Sequence, residues 1–525
     1  MSVEGGEHPD PGAPPSPGGS EGGADGEGSV GSDAVEIAGG SAVVMAGGIG
    51  ERGLRFVLNW VLARFLDTAD FGVYSFVTTM VATLTSLSAL GTDGGIVFFG
   101  ARYRKSGERA RLKGTLLSCL LVAVVAGSIF SAGLWLLGEL WTVAPDKQPA
   151  ISALTIGSWS VFMGTLLGVF TGGLVAAKDM RGQAIVSQIG LPLITLIAAA
   201  GALGLGLGLD GALWSMALAY VLSAALGGMW FWRRFQPVLG DPTVGVQTET
   251  GALLRYSVPQ SLARSLYQAN LRIDILMLTA MATLSDVGIY KIATMVAQLG
   301  ALPVMASTTM FGPVVSELVY GGQLPRLNAL LRVVTRWIVI VATPVYLGLL
   351  LLPDVVLSVF KPEYAVGGRA LAVLMLGQAV YVACSPSGAL VTMGGYSGTN
   401  LINGLFSVVL NVALNAALIP RLGMEGAAIG SAVSIVIWSV LRVVEARWLL
   451  HCWAFDRRVV VALGIAVTVG LLAAWLGQGA GLGTRLGLTM GAVLIFLAAI
   501  ALGGRTEEDE LVLGRVRSRL ARLRG

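Results

Sequence analysis

Two sets of polar residues recur at helical spacing inside otherwise apolar stretches of this chain. Arg52, Arg55 and Asn59 fall at i, i+3 and i+7, and Arg264, Gln268 and Arg272 are each four apart. Each set therefore lines one face of a helix. An ionisable side chain at mid-bilayer costs at least about 2.5 kcal/mol on insertion scales, so those that persist face a cavity or a partner. A guanidinium presents a planar fork of donors that fits phosphate or carboxylate oxygens two at a time. Arg52, Arg55, Arg264 and Arg272, joined by Lys291, are thus the expected lining of a cationic cavity for an anionic substrate. The plainer alternative has Arg52 and Arg264 snorkelling to a membrane surface while Asp274 neutralises Arg272. Asp93, Asp274 and Glu317 lie in similar apolar surroundings and suit either a coupling ion, H+ or Na+, or a salt bridge. Cys119, Cys384 and Cys452 show no metal spacing, and the two histidines, His8 and His451, are too few for a histidine-based site. Neither a metal nor a cofactor is expected.

The elements that carry these residues follow from composition. Of 525 residues, 54% are hydrophobic and only 13% charged, about half the charged fraction of a soluble protein. Long apolar runs such as "RWIVIVATPVYLGLLLL" and "LTMGAVLIFLAAIAL" are of the length that spans a bilayer as helix, roughly 20 residues. The alternating pattern of a membrane β-barrel is absent. The fold class is an all-α polytopic membrane protein. Fourteen spans are expected, centred near residues 48, 83, 126, 163, 194, 222, 269, 302, 343, 379, 410, 436, 468 and 493. Glycine is abundant, at 72 residues, as suits close approach of helices in lipid.

Cations test this count. With the N-terminus in the cytoplasm, the inner loops and the tail from Arg505 carry 24 Lys and Arg, against six outside: Arg64, Lys147, Lys361, Arg369, Arg421 and Arg485. That asymmetry obeys the positive-inside rule and places both termini in the cytoplasm. The basic tail also suits an anionic lipid surface. The partners expected are membrane lipids and an anionic substrate, not nucleic acid.

The chain repeats itself. "DFGVY" from Asp70 returns as "DVGIY" from Asp286, an offset of 216 residues. "LDGA" from Leu209 matches "MEGA" from Met424, and "GGLVAAKDMRG" from Gly172 matches "GALVTMGGYSG" from Gly388, at nearly the same offset. The period covers six spans. An even number sends both copies into the membrane the same way, as parallel repeats about an axis along the membrane normal. The expected organisation is a disordered acidic tail (1–33), a first lobe of helices 1 to 6 (34–233), a cytoplasmic linker (234–253), a second lobe of helices 7 to 12 (254–455), helices 13 and 14 (456–504) and a basic tail (505–525). The repeated Asp-x-Gly-x-Tyr phrase is expected at an outer turn, with Gly relieving the turn, Asp capping the next helix and Tyr at the membrane surface. Pro303 and Pro313 fall in one span and make it the hinge candidate.

With "LARFLDTADFGVYSFVTTM", the basic loop after it, "LRIDILMLTAMATLSDVGIYKIA" and "PRLGMEGAAIGSAVS", the chain resembles the polysaccharide flippases of the O-antigen type. These belong to the superfamily that includes multidrug and toxic-compound extrusion proteins and the lipid II flippase. The resemblance covers about residues 36 to 455. It implies a flippase of the cytoplasmic (inner) membrane that moves a polyprenyl-diphosphate-linked oligosaccharide, of the undecaprenyl type, by alternating access for surface polysaccharide such as lipopolysaccharide. It also implies that Arg55 and Arg272 occupy the family's cavity positions, and Glu51 beside Arg52 raises the question of whether Arg52 is available.

Two other readings remain open at this point. A drug or cation antiporter of the same fold would need a deep acidic site, and the deep charges here are mainly Arg. A membrane glycan polymerase or ligase would need a large outer loop with catalytic groups, and the longest, "LPDVVLSVFKPEYAVGG", has no such constellation. The phosphate-binding loop of a nucleotide-driven pump is missing from the sequence, so the protein is read as a transporter and not an enzyme.

Overall fold

The computed structural model describes residues 46–301, 304, 314–319 and 321–502. The two tails (1–33 and 505–525) and the hinge prolines Pro303 and Pro313 lie outside the described residues. Among the described residues the chain is helical, without a strand. The helices that matter here are α1 (46–65), α2 (Thr68–Ser88), α3 (Thr92–Ser106), α4 (Arg109–Leu140), α5 (Leu154–Ala176), α6 (Leu191–Gly204), α7 (Gly208–Leu239), α8 (Thr250–Asn270), α9 (Ile273–Met281), α10 (Leu284–Leu299), α11 (Leu324–Leu351), α12 (Gly368–Met393), the folded pair α13 (Ser397–Leu450), α14 (Arg457–Leu476) and α15 (Leu482–Leu502). Ten helical stretches among the described residues are long and apolar enough to cross a membrane. The expected number, fourteen, is larger by four: α1 carries charge, α8 and α9 are split at Leu271–Arg272, the span expected near residue 302 falls largely outside the described residues, and α13 folds back on itself so that two expected spans count once.

The fold in α13 sits at Gly423, whose φ of 55° lies in the left-handed region that only glycine enters cheaply. Gly208, at the start of α7, has φ 54°. These two glycines precede the "LDGA" and "MEGA" segments, so backbone geometry repeats there along with sequence.

The doubled Asp-x-Gly-x-Tyr phrase corrects the turn expectation. Gly72 and Gly288 lie inside α2 and α10, at the point where these helices cross. A Cβ on Gly72 would collide with the Leu284 carbonyl, and one on Gly288 with the Thr68 carbonyl. Leu284 is Thr68 advanced by the repeat offset, so the contact is reciprocal, as a two-fold axis requires. In the first copy the cap comes from just ahead, Asp67 Oδ1 accepting from the Asp70 amide; in the second, the phrase's own Asp286 shares it, forming a capping box with Thr283. Tyr74 and Tyr290 are buried within the helix packing. The phrase is a helix-crossing signal, because small residues are what allow backbones to touch in lipid.

Packing is continuous at one end and divided at the other. One apolar cluster joins Leu58, Phe71 and Val77 of the first lobe to Leu278, Val287 and Val296 of the second. Toward the basic loops the cores separate. Ile96, Leu116 and Phe231 belong to one cluster, and Val315, Leu331 and Leu390 to another. The lobes are therefore joined through one core at the far end, whereas toward the basic end they keep separate cores bridged by α8, whose Leu253 packs into the first lobe's cluster. The non-helical connection between them is only 240–249, narrower than the expected 234–253, since α7 continues to Leu239 and α8 starts at Thr250. It is docked on the first lobe. Lys113 Nζ donates to the Asp241 and Val244 carbonyls at 2.8 and 3.2 Å, and Tyr103 OH donates to Glu249 at 2.6 Å. From there α8 packs on α2 and α3 as well as on α13.

The helix pair α14–α15 lies outside the repeat and is pinned at the far end. Arg485 donates through Nη1 and Nη2 to the two carboxylate oxygens of Asp354, at 2.8 and 2.6 Å, and to the Leu351 carbonyl at 3.2 Å. This arginine holds the Asp354 carboxyl below the usual carboxylate range. A folded-state pKa under the unfolded value of about 3.9 means the contribution is full above that pH and is lost as pH falls through the folded-state value. A half-exposed pair of this kind contributes about 1 kcal/mol or less. Asp354→Asn is expected to lower thermal stability slightly at pH 7, the difference from the parent shrinking as pH falls below about 3.9, read by thermal unfolding of the purified protein in detergent.

Candidate functional site

The first arginine set lies on α1. Glu51 pairs with Arg55 and not with the adjacent Arg52, its Oε1 accepting from Arg55 Nε at 2.9 Å. The reason is periodicity, since residues four apart on a helix face each other and neighbours do not. Asn59 Nδ2 donates to the Arg55 carbonyl at 2.6 Å. Arg55 keeps half of its side chain exposed, and Arg52 is exposed. The concern raised for Arg52 therefore belongs to Arg55, which is partly neutralised by Glu51 but still reachable.

The second set departs from the expected continuous stripe. Helix α8 ends at Asn270, and α9 begins at Ile273 with Arg272 as its N-cap. Gln268 and Arg272 are thus not successive turns of one helix. The break places Arg272 at an interruption between two helices, and inside a bilayer irregular backbone is tolerated only where it is buried in protein or lines a cavity. The polar groups freed there are partly met by α13: Asn411 Nδ2 donates to the Asn270 carbonyl at 3.4 Å, and Asn270 Nδ2 donates to Ser407 Oγ at 3.1 Å. Arg272 itself is only partly served, its Nη1 being buried with no hydrogen-bond partner. The Arg264 side chain lies outside the described residues.

Asp274 does not neutralise Arg272. It is the one buried acid among the described residues, 5% exposed. Its Oδ2 accepts from Tyr290 OH at 2.5 Å and Ser431 Oγ at 3.1 Å, and its Oδ1 accepts from the Ile275 amide at 2.9 Å. A buried carboxylate held by hydroxyls rather than a cation is costly to keep charged.

Arg55, Arg272 and half-buried Lys291 stand near enough for their charges to act on one another, and Asp274 lies within the same reach of Lys291. Three cations against Glu51 and Asp274 leave an excess positive charge, and like charges in a low-dielectric setting repel strongly unless an anion joins them. The Tyr220 hydroxyl of α7 is within electrostatic reach of both arginines. Tyr220 also borders a cavity of about 280 Å³ lined by Thr85, Ser86, Asp93, Ser261 and Gln268 among others. Its lining comes from α2, α3, α5, α7 and α8 and includes none of the three cations, so Tyr220 is the residue shared between this space and the surroundings of Arg55 and Arg272. The cavity differs from the expected cationic one: its wall is polar and carries one acid, Asp93, while the cations gather beside Tyr220. Glu317 is elsewhere, exposed in the helical segment 314–319 beside the second lobe's core at the basic end.

Sequence reasoning missed Tyr220, Tyr290 and Ser431. It also passed over a polar stripe on α13, where Asn403, Ser407, Asn411 and Asn415 are all buried. Their four-residue spacing in "NGLFSVVLNVALN" was the signal. Asn415 Nδ2 donates to Asn411 Oδ1 at 2.9 Å, and Asn403 Nδ2 donates to Glu445 at 2.6 Å.

Comparison with known proteins adds a family. The family described as "Polysaccharide biosynthesis protein" matches residues 37–319, more than half of the chain. The probable flippase AglR of Haloferax volcanii is 28% identical over 213 residues, which cover 39% of this chain and 43% of that protein. The probable low-salt glycan biosynthesis flippase Agl15 of the same organism is 22% identical over 398 residues, covering 74% of this chain and 79% of the relative. Among solved structures, an inward-facing multidrug resistance MATE family transporter of the MOP superfamily superposes with TM-score 0.67 at 15% identity, over 76% of this chain and 94% of its own. The lipid II flippase MurJ in an inward closed conformation gives TM-score 0.67 at 13% identity, over 87% and 98%. These two likenesses give the chain the MOP fold.

Proposed function

Since the chain belongs to the polysaccharide biosynthesis protein family, we propose that it is a flippase for a polyprenyl-diphosphate-linked oligosaccharide, working in the cytoplasmic membrane with both termini in the cytoplasm. The observation that carries this reading is the meeting of Arg55, Arg272 and Lys291, from the first helices of both lobes and α10, in a cleft closed at the far end. A diphosphate has the charge to balance the excess of these cations over Glu51 and Asp274, and the oxygen geometry to meet the unpartnered Arg272 Nη1. The cleft parts toward the loops that hold most of the cations, the cytoplasmic side by the positive-inside rule. The substrate enters there, binds between the lobes and leaves when the lobes reverse. A lipid-linked oligosaccharide is also what the names of the two relatives are compatible with, both being called flippases.

Asp274 is the best-placed coupling group. Buried and served by Tyr290 and Ser431, it gains or loses a proton or small cation only with rearrangement of α9 and α10, which also carry Arg272 and Lys291. Asp274→Asn is expected to keep the fold, since the amide fills the same volume, and to cut export roughly tenfold or more while removing its dependence on the ion gradient. Export measured in vesicles with imposed proton or sodium gradients checks this.

The test of the function is deletion of the gene followed by analysis of lipid-linked glycans and surface polysaccharide. Accumulation of lipid-linked repeat units with loss of surface polymer supports the flippase. Unchanged glycans with new sensitivity to cationic drugs would instead make it an antiporter of the same fold.

A further inference from the structure

The far-end seal contains two lysines that repeat each other's job. Lys147 lies in the connection between α4 and α5, and Lys361 in the connection between α11 and α12. Each is the residue just before a short helix with proline in its first turn, Gln148–Ser152 and Pro362–Gly367. Lys147 Nζ donates to the Ala282 carbonyl, and Lys361 Nζ donates to the Leu66 carbonyl at 2.7 Å. Both bonds cross from one lobe to the other. The acceptors Leu66 and Ala282 are separated by the repeat offset of 216 residues. Each is the carbonyl just past the first helix of its lobe, since α1 ends at residue 65 and α9 at Met281. The last carbonyls of a helix lack intrahelical partners and carry the negative end of its dipole. An ammonium on a flexible stem is well suited to cap them.

We propose that Lys147 and Lys361 form a paired latch that holds the far end shut, and that releasing both is required for the site to open to that side. The rest of the seal supports a latch placed here. Thr68 Oγ1 donates to Ser285 Oγ at 3.0 Å across the same lobe boundary, next to the Gly72–Gly288 crossing. The other four cations of the far side have different employment or lie elsewhere: Arg485 grips Asp354, and Arg369 stands 3.9 Å from Glu425. Lysines are costly on this side by the charge rule that oriented the chain, yet two occur at matching places and reach matching atoms. A pair of charge–dipole bonds is strong enough to favour closure and weak enough to break, because each can be exchanged for water at the rim. The latch rests on the alternating-access reading for its purpose, but its existence is tested without any glycan.

The experiment places a single cysteine at Thr85, on the cavity wall, in a chain with Cys119, Cys384 and Cys452 replaced. Labelling by a membrane-impermeant maleimide is followed from the far side in intact cells. The double variant Lys147→Gln/Lys361→Gln is expected to label at least tenfold faster than the parent, with each single variant between and Lys147→Arg/Lys361→Arg close to the parent. Unchanged labelling in a double variant that inserts normally overturns the proposal. A second measurement covers failure of that variant to insert. Thr68→Cys/Ser285→Cys cross-links the same boundary. Export that stops on oxidation and returns on reduction supports a latch that must release. Normal export by fully cross-linked protein overturns it, because the far end then never opens. If deletion of the gene leaves glycans untouched while the lysine variants still label faster, the function reading fails and the latch stands.

Discussion

Arg272→Ala is expected to reduce export of the lipid-linked glycan roughly 10- to 100-fold, the loss of one charge-assisted hydrogen-bonded contact to a phosphate, without reducing the protein's stability. The second half of this expectation separates binding from scaffolding. A structural arginine, once truncated, leaves its partner buried and unpaired, which destabilises the fold. Arg272 has no carboxylate partner, since Asp274 is engaged by Tyr290 and Ser431, and its Nη1 is already unsatisfied. Removing it relieves repulsion from Arg55 and Lys291, so thermal unfolding in detergent should be unchanged or slightly raised. Arg272→Lys keeps the charge but loses the fork, and should fall between parent and alanine variant. Export measured as surface polysaccharide, beside melting temperature and membrane abundance, decides. Normal export by Arg272→Ala would remove this residue from the site.

Gly72→Val should be as damaging for a different reason. The new side chain would be driven into the Leu284 carbonyl, a backbone atom that cannot rotate away. Overpacking of this sort costs typically about 1–3 kcal/mol, and α2 and α10 would have to separate at their crossing. Because that crossing also belongs to the far-end seal, the variant should both melt at lower temperature and lose most export. Gly288→Val should behave the same way by the reciprocal contact with Thr68. Gly464→Val is the control, since no atom lies within 4 Å of a Cβ there. Equal behaviour of Gly72→Val and Gly464→Val in melting and export would show that the crossing is loose.

The helical membrane class, the basic asymmetry and the repeated phrases could be read directly, because lipid imposes long apolar runs and small residues mark close helix approach. The roles of the repeated residues were harder. Gly72 and Gly288 look the same in sequence whether they serve a turn or a crossing, and only the neighbour's carbonyl distinguishes the two. The charged residues of the site were legible as a set, but not their pairings. Glu51 was read against its neighbour Arg52, while helix periodicity gives it to Arg55. Asp274 was read against Arg272, but an interruption no local signal announces turned Arg272 away and left Asp274 to Tyr290, sixteen residues on. Ser431, which donates to Asp274, and the latch acceptors Leu66 and Ala282 come from distant sequence, and both latch acceptors are backbone carbonyls that carry no residue signature at all.

The docked connection 240–249 has a mechanical consequence. It fastens the beginning of α8 to the first lobe, whereas α9 is anchored in the second through Asp274. One continuous stretch of chain is thus clamped at both ends to bodies that, on the alternating-access proposal, swing relative to each other. The strain of that swing has to be taken up between the clamps, and the weakest place is the two-residue gap at Leu271–Arg272. Arg272 is then the elbow of the machine as well as its grip. Whatever neutralises it stiffens or frees the joint, so that a loaded and an empty carrier would differ in how readily they turn.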